Sequence, residues 1–425
     1  MRKILVHIPV EKYGEYDIFT KHSDAEFVTK VKKNGGICPN VGNRLWFQGI
    51  ISAIQCDDNI IDYWSPSMSK EKINEQYDLI VAPMANVFSV NYISLLETLA
   101  ERFRGLKIPV YVVACGVQAS NYDEIETICK SLKDPASRFI SSVYDTGGEF
   151  ALRGNFTKEF FDRLGFNSAV VTGCPSLYQL GRNLKVEREK VDKDNFFPIF
   201  NGVPANYKKY MNEYTSAIFF DQDAFWQEVL DPSFLSADNV NGQIEKLIRK
   251  WGFDTTKYLL EERIKLFPSM NSWREFIIDN DFSCSFGSRI HGNIMPILAG
   301  IPAILECRDA RTREIAEFFD IPFVLPNDKF DSLYELYMDI DYSNFNKNFN
   351  QRYDHYEKFL RKYGIIDKIN TDNRFFYRCN NQIDMSTKSQ QNEKLLRSLM
   401  SKRVFWNGYS NILNAKRGFL SKIKD

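Results

Sequence analysis

One short run of polar residues carries the side chains best suited to proton transfer beside an anionic ligand. It spans residues 283–293 and reads Ser-Cys-Ser-Phe-Gly-Ser-Arg-Ile-His-Gly-Asn. The pattern predicts a strand that ends in small residues and a helix that begins a few residues later, with Arg289 and His291 in the turn between them. Backbone N–H groups at a helix start, together with an arginine, bind phosphate or carboxylate, and a histidine exchanges protons near neutral pH. The alternative is that both side chains only stabilise the turn.

Other ionisable residues near predicted strands are weaker candidates for this chemistry. His7 lies within the first apolar run and is predicted to be a core histidine, whereas His22 and His355 lie among charged residues and are predicted to be exposed to solvent. Glu306 and Arg308 follow a later strand, where they either extend an anion pocket or pair with each other.

Short apolar runs alternate with helical patterns along most of the chain. In the first part, strands are predicted at 4–8, 77–82, 109–114 and 169–171, and helices at 45–54, 93–103 and 157–164. In the second part, strands are predicted at 196–200, 216–220, 282–286, 302–306 and 322–325, and helices at 224–229, 244–250, 267–279 and 312–318. Such alternation predicts an α/β fold of two Rossmann-like domains, each with a parallel, doubly wound sheet.

A charged stretch near residue 190 separates the two series, and we place the domain boundary there. The predicted domains are an N-terminal Rossmann-like domain at 1–190 and a C-terminal one at 191–335. A helix rich in Tyr and Phe at 336–366 is expected to pack back across both domains. A polar linker and a basic amphipathic tail are predicted at 367–425.

The tail has the composition of a membrane-surface helix. Residues 393–425 contain eight lysines and arginines against two acidic residues, and the apolar residues from Leu395 to Trp406 fit one helical stripe. Such a helix can lie on an anionic bilayer. An ordinary surface helix or a contact between copies of the chain is the alternative.

Length and composition indicate a soluble enzyme-sized protein. The 425 residues carry 55 Lys and Arg against 55 Asp and Glu, which excludes a global field that attracts nucleic acid. The first apolar run is too short for a signal peptide or a spanning helix, so we expect a cytoplasmic protein, with peripheral attachment to the inner face of the cell membrane if the tail binds lipid. The eight cysteines lack metal-site spacing and are expected to be reduced, at positions 38, 56, 115, 129, 174, 284, 307 and 379.

Several of these segments together resemble the polysaccharide pyruvyl transferase family. The specific part is Ser288-Arg289-Ile290-His291-Gly292 followed by Ala299-Gly300-Ile301-Pro302. Weaker matches lie upstream, at Leu152-Arg153-Gly154, Thr172-Gly173-Cys174-Pro175-Ser176, Gly42-Asn43 and Ala114-Cys115-Gly116-Val117-Gln118. The resemblance covers roughly residues 30–325.

The resemblance implies a fold similar to GT-B glycosyltransferases and transfer of a pyruvyl group from phosphoenolpyruvate to two hydroxyls of one sugar, as a cyclic ketal. The donor, a co-substrate, is expected on the C-terminal domain, and neither a metal nor a cofactor is expected. His291 is the expected general acid, and Arg289 the other catalytic residue. The implied donor-binding residues are Arg153, Arg289, Ser288, Gly292 and Asn293.

The acceptor implied by the resemblance is a glycan or a lipid-linked oligosaccharide, as in capsule or exopolysaccharide biosynthesis. The candidate acceptor-binding residues follow predicted strands or lie in the early glycine-asparagine loop, and they are Asn43, Asn86, Gln118 and Asp223. Plain turn or helix-capping roles are the alternative for them. A homo-oligomer is compatible with the sequence.

Two other functions fit the same elements. A GT-B glycosyltransferase with a nucleotide-sugar donor also has paired Rossmann domains and an anion-binding helix. A glycan-binding protein without catalysis is the third possibility, and the presence of Arg153, Arg289 and His291 together argues against it.

Overall fold

A computed structural model describes residues 1–7, 42–55, 58–65, 67–222, 258, 261, 263–265, 267 and 270–367. The candidate residue Asp223, the helices predicted at 224–229 and 244–250, His22 and the basic tail at 393–425 lie outside the described residues.

The first half of the chain forms a parallel sheet of six strands in the order β2-β1-β3-β4-β5-β6. The strands are β1 (Arg2–Val6), β2 (Asn59–Tyr63), β3 (Leu79–Pro83), β4 (Val110–Cys115), β5 (Glu149–Leu152) and β6 (Val170–Val171). Strands β3, β4 and β5 are buried throughout, as expected for central strands covered by helices on both faces. The edge strand β2 alternates between half-buried and exposed residues.

Within the described residues, five helices connect the strands of the first sheet. They are α1 (Gly42–Ile54), α2 (Lys70–Gln76), α3 (Ile93–Phe103), α4 (Ile125–Tyr144) and α5 (Asn155–Arg163), and a 3₁₀ segment follows β6 at Pro175–Asn183. The helices predicted at 45–54, 93–103 and 157–164 are confirmed within a few residues. Gly165 follows α5 with a φ of 88°, as predicted for a glycine that ends a helix.

The second half forms another parallel sheet of six strands, in the order β12-β11-β10-β7-β8-β9. Its strands are β7 (Pro198–Asn201), β8 (Ile218–Phe220), β9 (Ile264–Lys265), β10 (Cys284–Gly287), β11 (Ala303–Glu306) and β12 (Phe323–Val324). The helices described in this half are α6 (Lys208–Glu213), α7 (Met270–Ile278), α8 (Ile290–Leu298) and α9 (Ala310–Phe319). Two doubly wound parallel sheets confirm the predicted α/β class with two Rossmann-like halves.

Each sheet has a point at which the strand order reverses. In the first sheet, β2 and β3 lie on opposite sides of β1. In the second sheet, β8 and β10 lie on opposite sides of β7. Ligands of open α/β sheets bind outside the carboxyl ends of the strands at such points. The turn that carries Arg289 and His291 follows β10 and therefore lies at the reversal point of the second sheet.

Two further helices, α10 (Leu333–Asp339) and α11 (Ser343–Lys362), follow the second sheet. Helix α11 contacts both halves. The ring of Tyr356 stacks on Tyr178 of the 3₁₀ segment at 4.9 Å, and Arg352 forms an ion pair with Asp320 at the end of α9 at 2.5 Å. One apolar cluster includes residues from α1, α8 and α11, so the halves share part of their core. The domain limits given above stay predictions.

Candidate functional site

Two buried asparagines hold the turn between β10 and α8. Asn201, the last residue of β7, accepts a hydrogen bond from the backbone N–H of Arg289 at 3.0 Å. Its amide nitrogen donates to Oδ1 of Asn293 at 3.0 Å. Asn293 in turn donates to the carbonyl oxygens of Gly287 and Arg289 at 2.9 and 3.0 Å. Asn293 therefore fixes the backbone that starts α8, and a direct contact between Asn293 and a donor stays a prediction.

Gly292, in the first turn of α8, leaves room for the side chain of Gln222. A Cβ added at Gly292 would lie 2.4 Å from Nε2 of Gln222. Gln222 is buried just after β8, and its Nε2 has no hydrogen-bond partner among the described residues. An unpaired buried amide is costly, so this group is a ready donor to a ligand at the start of α8.

His291 lies in the first turn of α8 with only 7% of its surface exposed. Its Nε2 is buried and, within the described part of the chain, has no hydrogen-bond partner. Burial and the positive charges of Arg153 and Arg311 lower the pKa of His291 well below its ordinary value. The imidazole is therefore neutral in the free protein, whereas the sequence alone predicted an acid with a pKa near neutral.

Arg153 comes from the first half of the chain, directly after β5. It is 2% exposed, and its Nε donates to the carbonyl oxygen of Ala114 at 2.9 Å. Ala114 has a φ of 62°, which is rare for a residue other than glycine. The packing of the two halves brings Arg153 of the first half close enough to His291 of the second half to lower the pKa of the histidine.

Sequence reasoning missed Arg311, which lies in the first turn of α9. Its Nη2 forms an ion pair with Asp309 at 3.3 Å, and its Nε is buried without a partner in the described ranges. The signal that could have found it is its position after β11, since the carboxyl ends of parallel strands meet at one edge of the sheet. Arg311 adds a second charge to the surroundings of His291.

Arg289 and Ser288 occupy the turn itself and are half-buried. Arg289 is the N-cap residue of α8 and makes no side-chain hydrogen bond to the helix start. A Cβ added at Gly202 would lie 2.7 Å from Oγ of Ser288 and 3.1 Å from the hydroxyl oxygen of Tyr207, and Tyr207 donates to Oε2 of Glu306 at 2.6 Å. Glu306 also pairs with Arg308 at 2.7 Å, which is the pairing foreseen as one of two roles for these residues.

Two of the residues expected to bind an acceptor lie together on the first half. Nδ2 of Asn86 donates to Oε1 of Gln118 at 3.4 Å, because the loops after β3 and β4 run side by side through the bridge between Phe88 and Val117. Gln118 is exposed, and Asn43 is exposed in the first turn of α1. Their roles toward a sugar stay predictions.

His7 and His355, the described histidines outside the α8 turn, have the environments expected from the sequence. His7 is fully buried, with its ring 4.9 Å from that of Trp64 and 5.1 Å from that of Phe103. Burial, with the charge of Arg102, lowers the pKa of His7 to about 3. His355 is exposed on α11. His7 is therefore a core histidine, as predicted.

The described residues show neither a metal-ligand cluster nor a membrane span. No group of three or more His, Cys, Asp and Glu side chains in them is arranged to hold a metal ion. None of their helices has the length and apolar character needed to cross a bilayer. The cysteines at 115, 129, 174, 284 and 307 are free thiols, as expected.

Comparisons with solved structures returned distant similarities. A structure of S. aureus MnaA with UDP shares 11% identity, covers 88% of this chain and 100% of its own, and has a TM-score of 0.37. UDP-GlcNAc 2-epimerase from Neisseria meningitidis bound to UDP-GlcNAc shares 11% identity over 93% of this chain and 100% of its own, with a TM-score of 0.33. The glycosyltransferase SnogD from Streptomyces nogalater shares 10% identity over 84% of this chain and 95% of its own, with a TM-score of 0.30.

Sequence comparison identifies the family. No curated protein sequence matches the chain significantly. A sequence profile described as polysaccharide pyruvyl transferase matches residues 16–305, which include β2 to β10, the turn with Arg289 and His291, and Arg153. This match spans well over half of the 425 residues. The chain belongs to the polysaccharide pyruvyl transferase family.

Proposed function

We propose that the protein transfers the pyruvyl group of phosphoenolpyruvate to two hydroxyls of a sugar, with release of phosphate and formation of a cyclic ketal. The observation that carries the proposal is a buried, neutral histidine, His291, beside Arg153 and Arg311 at the start of α8. This arrangement suits a small ligand with several negative charges that must accept a proton.

The first role of the arginines at the start of α8 is to bind the donor. Phosphoenolpyruvate carries a phosphate and a carboxylate, and each needs charged or N–H donors once water has left. Arg153 and Arg289 supply guanidinium groups, as the resemblance implies, and Arg311 adds a third. The backbone N–H groups at the start of α8 complete the set of donors.

Protonation of the donor is the role of His291. In the free protein burial, together with the charges of the two arginines, holds the pKa of His291 low. A bound trianionic donor offsets their charge, so the pKa of His291 rises and the imidazole takes up a proton in the complex. The acid therefore becomes charged only when its substrate is present.

Transfer of the proton from His291 to the donor starts the sequence of bond changes. His291 gives its proton to C3 of the enol, the carbon–carbon double bond becomes a single bond, and C2 develops positive charge. One sugar hydroxyl adds to C2 and loses its proton. The C2–O bond to phosphate then breaks, and the second hydroxyl adds to C2 and loses its proton. One of the two hydroxyl protons leaves on hydrogen phosphate, the other replaces the proton that His291 gave to C3, and the sugar carries the cyclic pyruvate ketal.

The acceptor is proposed to be a polysaccharide or its lipid-linked precursor, held by neutral side chains of the first half. Asn43, Asn86 and Gln118 are the candidates, with Asp223 as a further one. Attachment of the basic tail at 393–425 to the inner face of the membrane would bring the protein to a lipid-linked acceptor. Neither a metal nor an organic cofactor is part of this proposal.

Calorimetric titration with phosphoenolpyruvate, beside a panel of nucleotide sugars, tests the proposal. We expect phosphoenolpyruvate to bind and Arg289→Ala to abolish that binding. Arg138→Ala is the matched control, because Arg138 pairs with Glu97 on the surface at 2.9 Å, away from the turn. Binding of a nucleotide sugar without binding of phosphoenolpyruvate would overturn the proposal in favour of a glycosyltransferase.

A further inference from the structure

Glu314 belongs to α9 of the second half, but its carboxylate is buried against the first half. The residue is 2% exposed. Its Oε2 accepts the backbone N–H of Thr157 at 3.0 Å, and its Oε1 accepts the hydroxyl of Thr157 at 2.9 Å. Thr157 lies in the first turn of α5, whose N-cap residue, Gly154, has no side chain to cap the helix. Glu314 therefore supplies the cap from the other half.

Two glycines make room for this contact. A Cβ at Gly154 would lie 2.8 Å from Cβ of Glu314 and 2.9 Å from its Oε2. A Cβ at Gly116 would lie 3.0 Å from Cδ of Arg153 and 3.4 Å from Oε1 of Glu314. The carboxylate and the stem of Arg153 thus share one compartment, and the glycine that follows Arg153 in the sequence is needed for Glu314 to enter it.

Hydrogen bonds continue from Glu314 to the segments that hold Arg153. The hydroxyl oxygen of Thr157 accepts the backbone N–H of Val117 at 3.0 Å. Val117 lies in the loop after β4, and the end of β4 provides the acceptors of Arg153, namely the carbonyl oxygens of Cys115 and Ala114. Loss of the cap would therefore loosen the backbone on both sides of Arg153.

Proton transfer is an unsuitable role for Glu314. Both of its oxygens accept hydrogen bonds from Thr157. Burial raises its pKa to about 7, while the bonds from Thr157 and the charge of Arg153 act in the opposite direction. The charge of Arg153 thus acts on the carboxylate of Glu314, but both carboxylate oxygens are already engaged by Thr157.

We propose that Glu314 is a positioning residue of the anion site, which caps α5 from the second half and thereby holds Arg153 in place for the donor. The identity of that donor rests on the proposed function. The positioning role and simple electrostatics predict opposite changes in the affinity for an anion when Glu314 loses its charge. Removal of a nearby negative charge should strengthen the binding of an anion, whereas loss of a positioning residue should weaken it.

The decisive variant is Glu314→Gln, which keeps the volume and removes the charge. We expect the Kd for phosphoenolpyruvate to rise roughly tenfold, as for loss of one charge-assisted hydrogen bond, and we expect no further rise when the same change is made in Arg153→Met. The matched control is Glu317→Gln, because Glu317 also bridges the halves, through Tyr122 at 2.7 Å, but caps no helix. An unchanged or lower Kd for Glu314→Gln, or a rise equal to that of Glu317→Gln, would overturn the proposal.

A second measurement does not depend on the donor. In Glu314→Ala the N–H of Thr157 loses its acceptor, so amide hydrogen exchange should accelerate in a peptide that covers 153–160 and remain unchanged in Glu317→Ala. Unaltered exchange in Glu314→Ala would refute the capping role. If the wild-type protein binds no phosphoenolpyruvate, the proposed function fails, and titration of Glu314→Gln with inorganic phosphate, whose Kd should rise in the same way, tests the positioning role by itself.

Discussion

The two halves carry polar clusters at the carboxyl edges of similar sheets, but the clusters differ in charge and burial. Beside α8, the buried His291 lies close to Arg153 and Arg311. On the first half, Asn86 and Gln118 are neutral and bond to each other, and Gln118 is exposed. Buried charges have already lost their water, so an anion that pairs with them gains much, whereas exposed amides exchange water for a sugar hydroxyl at little net gain. The proposed function therefore assigns affinity and proton transfer to the cluster beside α8, and selectivity for the acceptor to the neutral cluster of the first half.

The largest expected effect tests whether the α8 cluster carries the chemistry. His291→Ala should lower turnover by about 10²–10⁴-fold, the usual contribution of a general acid, because His291 is the proposed acid and, among the described histidines, the one whose pKa Arg153 and Arg311 lower. Phosphate release from phosphoenolpyruvate in the presence of a glycan acceptor measures it. Thermal unfolding should show that the variant is folded, and His355→Ala, a change at an exposed position, should keep full turnover. Full turnover in folded His291→Ala would refute the mechanism.

The second prediction compares the clusters directly through the affinity for the donor. Arg153→Met should raise the Kd for phosphoenolpyruvate by roughly 10–100-fold, since a hydrogen bond to a charged group contributes about 1.5–3 kcal/mol. Asn86→Ala should leave that Kd unchanged. Calorimetry gives both Kd values. An equal rise of the Kd in Arg153→Met and Asn86→Ala would show that the two clusters do not differ in their contribution to donor binding.

The sequence predicted the α8 turn because its signal is local. A strand, a turn of small residues and a helix follow one another within residues 283–298, so Arg289 and His291 could be placed at a sheet edge from their positions alone. Arg311 and Glu314 were missed because their roles depend on how one half packs on the other. Thr157, the partner of Glu314, is 157 residues away in the chain.

Other differences arise from side-chain direction and from mixed local signals. Asn293 has the right position for a ligand contact, but its amide faces the turn backbone, which sequence spacing does not reveal. Helix α4 contains Pro135, a residue that ordinarily predicts a helix end. The edge strand β2 has no continuous apolar run because its residues are half-buried or exposed.

The third prediction tests the electrostatic state of the α8 cluster. Arg311→Met removes one of two charges that lower the pKa of His291. The pKa of His291 should then rise, because burial and Arg153 remain but one positive charge is gone. The pH midpoint at which kcat/KM for phosphoenolpyruvate falls should therefore move to higher pH. Arg313→Met is the control, because Arg313 lies on the same helix but bonds to Glu317 at 2.7 Å. An unmoved midpoint in Arg311→Met would show that Arg311 does not act on the acid.

The smallest expected effect tests the neutral cluster. Gln118→Ala removes one exposed amide, and a neutral hydrogen bond contributes about 0.5–1.5 kcal/mol, so the KM for the glycan acceptor should rise roughly 2–10-fold. The Kd for phosphoenolpyruvate should stay the same, because Gln118 bonds to Asn86 and not to the arginines. Steady-state kinetics with the acceptor varied, at saturating donor, separates the two quantities. A rise in the donor Kd with an unchanged acceptor KM would show that Gln118 acts on donor binding. It would contradict the assignment of donor binding and acceptor binding to separate clusters.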